Sequence, residues 1–233
     1  MQFNEAQIQA IQHNTGPCMV IAGPGSGKTT VLTHRVRYLI ERYGVNPSDI
    51  LVITFTKAAA EQMKLKFKGL SEGRNSAVTF GTFHAVFFTI LKAAYNYSAH
   101  CIIKPQIQHE FVKDQMCRLE LEYDDENEAI AGVLSEISCV KGEAVNIDEY
   151  ESRCIPPQSF RIMYRAYDDM LVRKHLIDFD DMIVQCRELL MQREDYRRAW
   201  QNKYKYILID EFQDINKAQF DAVSYTHLRA HET

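Results

Sequence analysis

A glycine-rich stretch near the amino terminus combines the residue types that bind a nucleoside triphosphate. Three glycines allow the backbone to turn its N–H groups toward phosphate oxygens, and Lys28 and Thr29 follow directly, as in a P-loop. The Lys28 ammonium suits the β and γ phosphates, and the Thr29 hydroxyl suits Mg²⁺. The pattern therefore predicts an ATP–Mg²⁺ site. Its expected nucleotide-binding residues are Ala22, Gly23, Pro24, Gly25, Ser26, Gly27, Lys28, Thr29 and Thr30.

A pair of acids, Asp210 and Glu211, follows the short apolar run Tyr206–Ile209. Such a run is typical of a strand buried on both faces, so the acids are expected at the carboxyl end of that strand. There Asp210 can hold Mg²⁺ through water, and Glu211 can orient and deprotonate an attacking water. Taken alone, such a pair is more often a solvated loop or a helix cap. The P-loop upstream favours the catalytic interpretation.

The segment around the P-loop alternates short β-type runs with helical patterns. A predicted strand at Met19–Ala22 enters the P-loop, and a predicted helix at Lys28–Ile40 leaves it. Predicted strands at Ile50–Phe55 and Ala77–Phe80 are also each followed by a helical pattern. This alternation indicates βαβ units, because parallel strands need a crossover connection. The expected fold is α/β, with a parallel sheet of the P-loop NTPase kind.

Residues 92–203 have an almost wholly helical pattern. Apolar residues such as Ile162 and Met170 recur there near the helical period. The stretch is too long to be a single βαβ crossover. We therefore expect an all-helical insert, which divides an ATP-binding subdomain into residues 1–91 and 204–222.

The overall composition is that of an ordinary globular protein, with 46% hydrophobic and 25% charged residues in a chain of 233. The net charge of −4 excludes a strongly basic nucleic-acid coat protein but not a local basic face. No apolar run approaches the ~20 residues of a membrane span, and the amino terminus lacks the features of a secretory signal. The six cysteines contain no C-x-x-C pair. We expect a cytoplasmic protein without a membrane partner.

Three motifs together resemble those of the superfamily 1 DNA helicases of the UvrD, PcrA and Rep type. Besides the P-loop, Phe3–Ile11 is similar to the family's Q-motif, and Asp210–Asp214 is similar to its DExQD motif. The resemblance implies that Gln7 reads the adenine edge, which suits an amide because it both donates and accepts hydrogen bonds. It also implies that Gln213 senses the γ-phosphate. In isolation, Gln7 would more often be a solvated residue at a helix start.

Two further segments resemble motifs that contact DNA in this family. Ile53–Met63 resembles motif Ia, although many members have Asn and then Lys where this chain has Lys57–Ala58, and Gly81–Ala85 resembles motif Ic. Taken alone, a Phe or His in such a place is more often part of the core. The basic residues from Lys57 to Arg74 are either a solvated helix face or a phosphate track. The implied contacts with single-stranded DNA are Phe55, Thr56, Thr82, Phe83 and His84.

The resemblance covers about residues 1–222 and implies an ATP-dependent translocase and helicase that moves 3'-to-5' on single-stranded DNA. In the family, this stretch is the first RecA-like lobe (subdomain 1A) with the helical subdomain 1B inserted. The second RecA-like lobe is therefore expected to be missing, as are the arginines that reach the γ-phosphate from outside this segment. Residues 224–233 resemble translated adaptor sequence, so 223–233 is predicted to be a non-native tail. A genuine disordered tail is the alternative.

Other functions stay open at this point. The same motor could drive a fused nuclease, as in helicase–nucleases of the AddA/RecB type. The chain could also be a nucleotide- or DNA-binding module that never hydrolyses ATP, or a motor directed at RNA. Hydrolysis of ATP with and without single-stranded DNA distinguishes the enzyme from the binding module.

Overall fold

The computed structural model of the chain describes residues 3–71 and 77–224. Short 3-10 turns lie at Pro47–Asp49, Ala99–Cys101 and Phe212–Asp214. The longer elements are, in chain order, α1 (Glu5–Gln12), α2 (Lys28–Tyr43), β1 (Ile50–Thr54), α3 (Lys57–Leu70), β2 (Thr79–Thr82), α4 (Phe83–Tyr95), α5 (Pro105–Arg118), α6 (Glu126–Glu143), α7 (Pro157–Arg173), α8 (Phe179–Gln192), α9 (Glu194–Lys203), β3 (Tyr206–Ile209) and α10 (Lys217–Val223).

The strands of the described residues form one parallel sheet in the order β2-β1-β3. Val52 of the central strand β1 lies opposite Phe80 of β2 and Leu208 of β3. Residues Ile50–Ile53 are at most 1% exposed, which explains why β1 is a continuous apolar run rather than an alternating one. The prediction of an α/β fold with a parallel sheet is confirmed. Because the strands run in one direction, their carboxyl ends meet at one edge.

The predicted strand at Met19–Ala22 is wrong. These residues belong to no strand of the structure, and Met19, Val20 and Ile21 are 67%, 53% and 91% exposed. A strand forms only where its backbone groups pair with those of a neighbouring strand, and Met19–Ala22 pair with none of the three strands of the described sheet. The run is apolar enough to form a buried strand, but in this structure it stays outside the sheet and exposed.

The described residues fall into two compact units. One comprises the chain up to Val86 together with Arg193–Ile215, and the other comprises Phe87–Gln192 and Asn216–Val223. The core of the first unit combines residues of α2, α3 and the sheet, among them Val36, Phe67 and Leu208. The insert boundaries at 92 and 203 stay a prediction from the sequence. Residues 225–233 of the predicted non-native tail lie outside the described residues.

The second unit is built from helices. Its core joins α5, α6 and α7 through buried side chains such as Met116, Ile137 and Phe160. Pro157 occupies the first position of α7, where a missing N–H costs nothing because it would have no helical partner. In the described residues, no helix is long and apolar enough to cross a bilayer.

One buried ammonium in the second unit binds three carboxylates. Lys141 of α6 is 3% exposed, and its Nζ lies 3.1 Å from Asp168, 2.9 Å from Asp178 and 2.7 Å from Asp181. Asp178 also accepts a hydrogen bond from the backbone N–H of Asp181 at 2.7 Å, so it caps the start of α8. The cluster thus ties α6 to α7 and α8. Burying one cation among three acids requires this close pairing, because an unpaired buried charge is very costly.

Candidate functional site

The P-loop turns sharply and then becomes a helix. Gly25 and Gly27 have φ angles of +73° and +84°, which side-chain-bearing residues rarely adopt. The backbone N–H of Ser26 donates to the Gly23 carbonyl at 3.3 Å, and α2 begins at Lys28. The free N–H groups of the first helical turn therefore lie directly after the glycine turn. Together with the helix dipole, they make this end of α2 chemically suited to phosphate, as the sequence predicts.

Lys28 and Asp210 come together in the fold although they are far apart in the chain. Asp210 is 9% exposed, and burial is the main reason why its pKa lies above the ordinary value. The neighbouring Glu211 raises this pKa further, whereas the Lys28 ammonium lowers it. The ammonium itself donates to the Ala22 carbonyl at 3.4 Å, across the P-loop. The lysine of the P-loop and the acid after β3 thus affect one another electrostatically.

The acids that follow β3 share a compact turn. The Asp210 N–H donates to the Ile53 carbonyl at 2.9 Å, which continues the pairing of β3 with β1 up to the site. Glu211 has a φ of +52° and precedes the 3-10 turn Phe212–Asp214. Within that turn, the Gln213 amide donates to Glu211 Oε2 at 2.6 Å and to Asp214 Oδ2 at 3.2 Å. The structure therefore brings Glu211 and Gln213 into direct contact.

The residues present fit a nucleotide-bound Mg²⁺. Mg²⁺ is usually held by one or two carboxylates, waters and substrate phosphates rather than by an all-protein cage. Thr29 lies in the first turn of α2, and Asp210 supplies a carboxylate that acts electrostatically with the P-loop lysine. Among residues 3–71 and 77–224, no group of three or more His, Cys, Asp or Glu side chains could hold a metal by itself. The donor set suits a metal that arrives with its nucleotide.

Gln7 lies against the P-loop. Its Nε2 donates to the Ser26 carbonyl at 3.0 Å, and its Oε1 accepts the Asn4 N–H at 3.0 Å. The Asn4 side chain in turn accepts the Gln7 N–H at 2.9 Å, so the two residues form a capping box at the start of α1. Gln7 is therefore held beside the predicted phosphate site rather than projecting alone into solvent.

The residues predicted to contact DNA lie where β1 and β2 end. Thr54 and Thr82 are direct partners in the sheet, so the loops after these strands share one edge. The Thr56 hydroxyl accepts the Ala59 N–H at 3.1 Å, and the Thr82 hydroxyl accepts the Ala85 N–H at 3.3 Å. Both threonine side chains thus cap the start of a helix by accepting a backbone N–H. The hydrogen of each hydroxyl can still be donated to a phosphate.

The aromatic residues of this edge differ in exposure. The rings of Phe55 and Phe83 meet edge-on, with centroids 5.9 Å apart. Phe83 is 2% exposed and belongs to the core, whereas Phe55 is only partly buried. Burial also lowers the pKa of His84. In this structure the buried Phe83 ring packs against the Phe55 ring, and of these two rings Phe55 is the more exposed.

Two functional contacts were not evident from the sequence. Lys66 of α3, part of the basic segment considered as a phosphate track, instead donates to the Thr30 hydroxyl at 3.3 Å, beside the P-loop. Arg35 of α2 binds backbone carbonyls at the end of α1. No local sequence pattern could have predicted either contact, because each joins residues that are distant in the chain.

A glycine turn leading into a helix, with its lysine acting on a strand-end carboxylate of a parallel sheet, defines a RecA-like P-loop NTPase lobe. The chain also matches the model of the UvrD/REP helicase N-terminal domain over residues 3–231, and it belongs to this family.

Two curated relatives show the extent of the similarity. The chain is 34% identical to the ATP-dependent DNA helicase Rep of Escherichia coli, over 96% of this chain and 34% of that protein. It is 33% identical to the ATP-dependent DNA helicase PcrA of Staphylococcus epidermidis, over 95% of this chain and 31% of that protein. The chain thus spans about a third of the length of these relatives.

Proposed function

We propose that the chain is the ATP-binding first lobe of a DNA helicase, which moves 3'-to-5' along single-stranded DNA at the expense of ATP. The observation that carries the proposal is the glycine turn that leads into α2 at Lys28, in the same compact unit as the parallel sheet whose strand β3 is followed by Asp210. Family membership and the two ATP-dependent DNA helicases among the relatives support it. The predicted cytoplasmic location is part of the proposal, since ATP and DNA are the proposed ligands.

In the proposed mechanism, the nucleotide phosphates bind the first turn of α2 and the Lys28 ammonium. Thr29 and Asp210 would hold Mg²⁺, which would neutralise phosphate charge. Glu211 orients the attacking water and takes its proton. Gln213, which contacts Glu211 in this structure, is proposed to sense the γ-phosphate.

Single-stranded DNA is proposed to cross the edge formed by the ends of β1 and β2. Phe55 offers a partly exposed ring for stacking on a base, with Phe83 beneath it. Thr56 and Thr82 offer hydroxyl donors for phosphates, and His84 lies in the same loop. Conversion of hydrolysis into movement needs a second RecA-like lobe that closes on ATP, and this lobe is proposed to lie in the remainder of a longer protein.

The test combines binding and turnover. ATP binding to residues 1–233 is measured by titration, for the wild-type chain and for Lys28→Ala. Binding of single-stranded DNA is followed by fluorescence anisotropy, with single-stranded RNA as competitor. Loss of ATP binding in Lys28→Ala and preferential DNA binding support the proposal. Unchanged ATP binding in Lys28→Ala would refute the nucleotide site, and equal competition by RNA would refute DNA as the preferred polymer.

A further inference from the structure

A guanidinium from α2 caps the carboxyl end of α1. Nη1 of Arg35 lies 3.1 Å from the Ala10 carbonyl oxygen and 3.5 Å from that of Ile11, and it also hydrogen-bonds the His13 carbonyl. The last carbonyls of a helix have no partner within the helix, and a cation there is favoured by the helix dipole. One side chain thus satisfies two of the carbonyl acceptors that α1 itself leaves open, those of Ala10 and Ile11.

A second side chain of α2 acts at the same place. The Tyr43 hydroxyl donates to the Gln12 carbonyl at 3.0 Å. At the other end of α1, Gln7 is bonded to Ser26 of the P-loop, and the Phe3 ring packs edge-on against His34 of α2 with centroids 4.8 Å apart. Helix α1 is therefore attached at both ends to α2 or to the loop that leads into it.

These attachments decide whether α1 is a helix at all. It has eight residues, and isolated helices shorter than about 12 to 15 residues are marginal in water. Its order thus depends on tertiary contacts, and Arg35 supplies more of the polar contacts at its carboxyl end than any other described residue. If these contacts are lost, the position of Gln7 is no longer defined.

The orientation of the Gln7 amide matters for recognising a base. A free amide can rotate and match either a donor–acceptor or an acceptor–donor pair. Here Nε2 is bonded to Ser26 and Oε1 to Asn4, which fixes the amide while leaving one N–H and one lone pair available. That remaining pair matches the N7 acceptor and N6 donor of adenine. In neither orientation does an amide match guanine, which presents two acceptors on the same edge. The selectivity therefore depends on whether the Gln7 amide is held beside the base.

We infer that Arg35 is a positioning residue for base recognition: by holding α1 against α2, it keeps the Gln7 amide beside the P-loop, where its remaining N–H and lone pair match adenine and not guanine. The inference rests on the proposed nucleotide site, because it concerns the base of the nucleotide whose phosphates the P-loop would bind. Among the described residues, the hydrogen bonds of Arg35 go to backbone carbonyls of α1 and of His13. Its effect therefore has to appear in the choice of base and not in the binding of phosphates.

The experiment measures the affinity of residues 1–233 for ATP, GTP and inorganic tripolyphosphate, in Mg²⁺ buffer. Arg35→Met removes the cap, and Arg37→Met is the matched control, because Arg37 lies on the same helix and forms its ion pair with Glu41 rather than with α1. We expect the wild-type chain and the control to bind ATP about tenfold more tightly than GTP, and Arg35→Met to bind ATP less than about threefold more tightly than GTP. The affinity of each variant for tripolyphosphate should lie within about twofold of the wild-type value.

Amide hydrogen exchange supplies an independent readout. In Arg35→Met the amides of Glu5–Gln12 should exchange faster, while those of α2 stay protected. Tyr43→Phe removes the weaker attachment and should lower the ATP preference by a smaller factor. It also provides the test if Arg35→Met does not fold.

The outcomes separate the inference from the proposed function. A wild-type chain that does not bind tripolyphosphate contradicts the nucleotide site itself. A chain that binds tripolyphosphate but does not prefer ATP, or an Arg35→Met variant that keeps the preference, overturns the role of Arg35 alone. Parallel loss of tripolyphosphate and ATP binding in Arg35→Met would also overturn it, because the residue would then support the whole lobe.

Discussion

At the scale of single residues, the site depends on charges that are only partly compensated. Asp210 is nearly buried, and its pKa is raised by burial and by Glu211 while Lys28 opposes both. A further cation beside Asp210 would favour its ionised form. Lys28 already does so in this structure, so it is expected to matter for the ionisation of Asp210 as well as for the binding of phosphates.

The first prediction concerns Lys28. Lys28→Ala should weaken ATP binding by at least about tenfold, because a charge-assisted phosphate contact is worth roughly 1.5 to 3 kcal/mol. Titration with a fluorescent ATP analogue measures the loss. Lys64→Ala, which removes an exposed lysine of α3, should bind as the wild type does. If the two variants bind equally well, the assignment of Lys28 is wrong.

The second prediction concerns Glu211. In a protein that also carries the proposed second lobe, Glu211→Gln should bind ATP with unchanged affinity but hydrolyse it about 10² to 10⁴ times more slowly, since general-base catalysis contributes a factor of this size. Steady-state phosphate release is the measurement. Gln213→Glu is not a suitable control, because Gln213 contacts Glu211. Wild-type turnover in Glu211→Gln would remove Glu211 from the role of base.

At the scale of elements, the strand ends and helix starts place several polar groups at one edge. The hydroxyls of Thr56 and Thr82 cap α3 and α4 and remain at the surface of that edge. The contact between Phe55 and Phe83 holds the exposed ring on a buried one. The elements that complete the sheet thus also orient the groups proposed to meet DNA.

The third prediction follows from this edge. Phe55→Ala should weaken binding of single-stranded DNA about tenfold, because stacking of one base is worth ~1 to 3 kcal/mol. ATP affinity should not change, since Phe55 makes no described contact with the P-loop. Fluorescence anisotropy with a labelled oligonucleotide measures the effect, and Tyr95→Ala, which removes an exposed aromatic ring of α4, serves as control. Equal DNA affinity in Phe55→Ala and wild type would exclude Phe55 from the DNA path.

The fourth prediction concerns the buried cluster that joins α6, α7 and α8. Burial and the neighbouring Asp178 raise the pKa of Asp181 to about 7, although Lys141 opposes them. Asp168, Asp178 and the rings of Tyr164 and Tyr167 are the other ionisable groups around this ammonium. The folded state therefore keeps a proton on Asp181 that the unfolded chain releases near its ordinary pKa of 3.8.

The sign of the pH effect follows from that difference. Between about pH 4 and pH 7 the folded state binds more protons than the unfolded state, so the free energy of unfolding falls as the pH rises through this window. Because Asn cannot titrate, the free energy of unfolding of Asp181→Asn should depend less on pH. Between pH 5 and pH 8 it should fall by at least about 1 kcal/mol less than that of the wild type. Urea unfolding at several pH values measures it, with the exposed Asp169→Asn as control. Parallel pH profiles for wild type and Asp181→Asn would contradict the assignment.

At the scale of the whole molecule, the chain exposes surface that a stable assembly would cover. Met19, Val20 and Ile21 form a contiguous exposed apolar run, and β3 pairs with only one neighbour in the described sheet. Contiguous apolar patches and free strand edges both favour association. These two features belong to the unit that carries the P-loop.

The fifth prediction is that residues 1–233 self-associate and do not unwind DNA. Sedimentation velocity should show mass increasing with concentration, and Ile21→Lys should reduce this association because it places a charge in the apolar run. Strand separation should be absent, since arginines supplied from outside a P-loop contribute about 10³ to 10⁵ in rate and are proposed to belong to the second lobe. Unwinding by this chain alone would show that a second lobe is dispensable, and a monomer at all concentrations would refute the association.

The sequence by itself determined the parts of the protein whose information is local. The spacing of glycines and lysine predicted the P-loop and the helix after it, and α2 does begin at Lys28. The apolar run Tyr206–Ile209 predicted a strand that ends at Asp210, as the pairing of β3 with β1 confirms. Periodicity likewise predicted the helices between α4 and β3. Each of these patterns reflects conformational preferences of neighbouring residues.

Only the tertiary structure decided which residues meet. The apolar run at Met19–Ala22 looked like a strand, yet a strand needs a partner whose position no local pattern specifies. The burial of Phe83, the contact of Lys66 with Thr30 and the capping of α1 by Arg35 likewise join residues distant in the chain. Such contacts depend on how whole elements pack, because packing is set by the shape and charge of both surfaces at once.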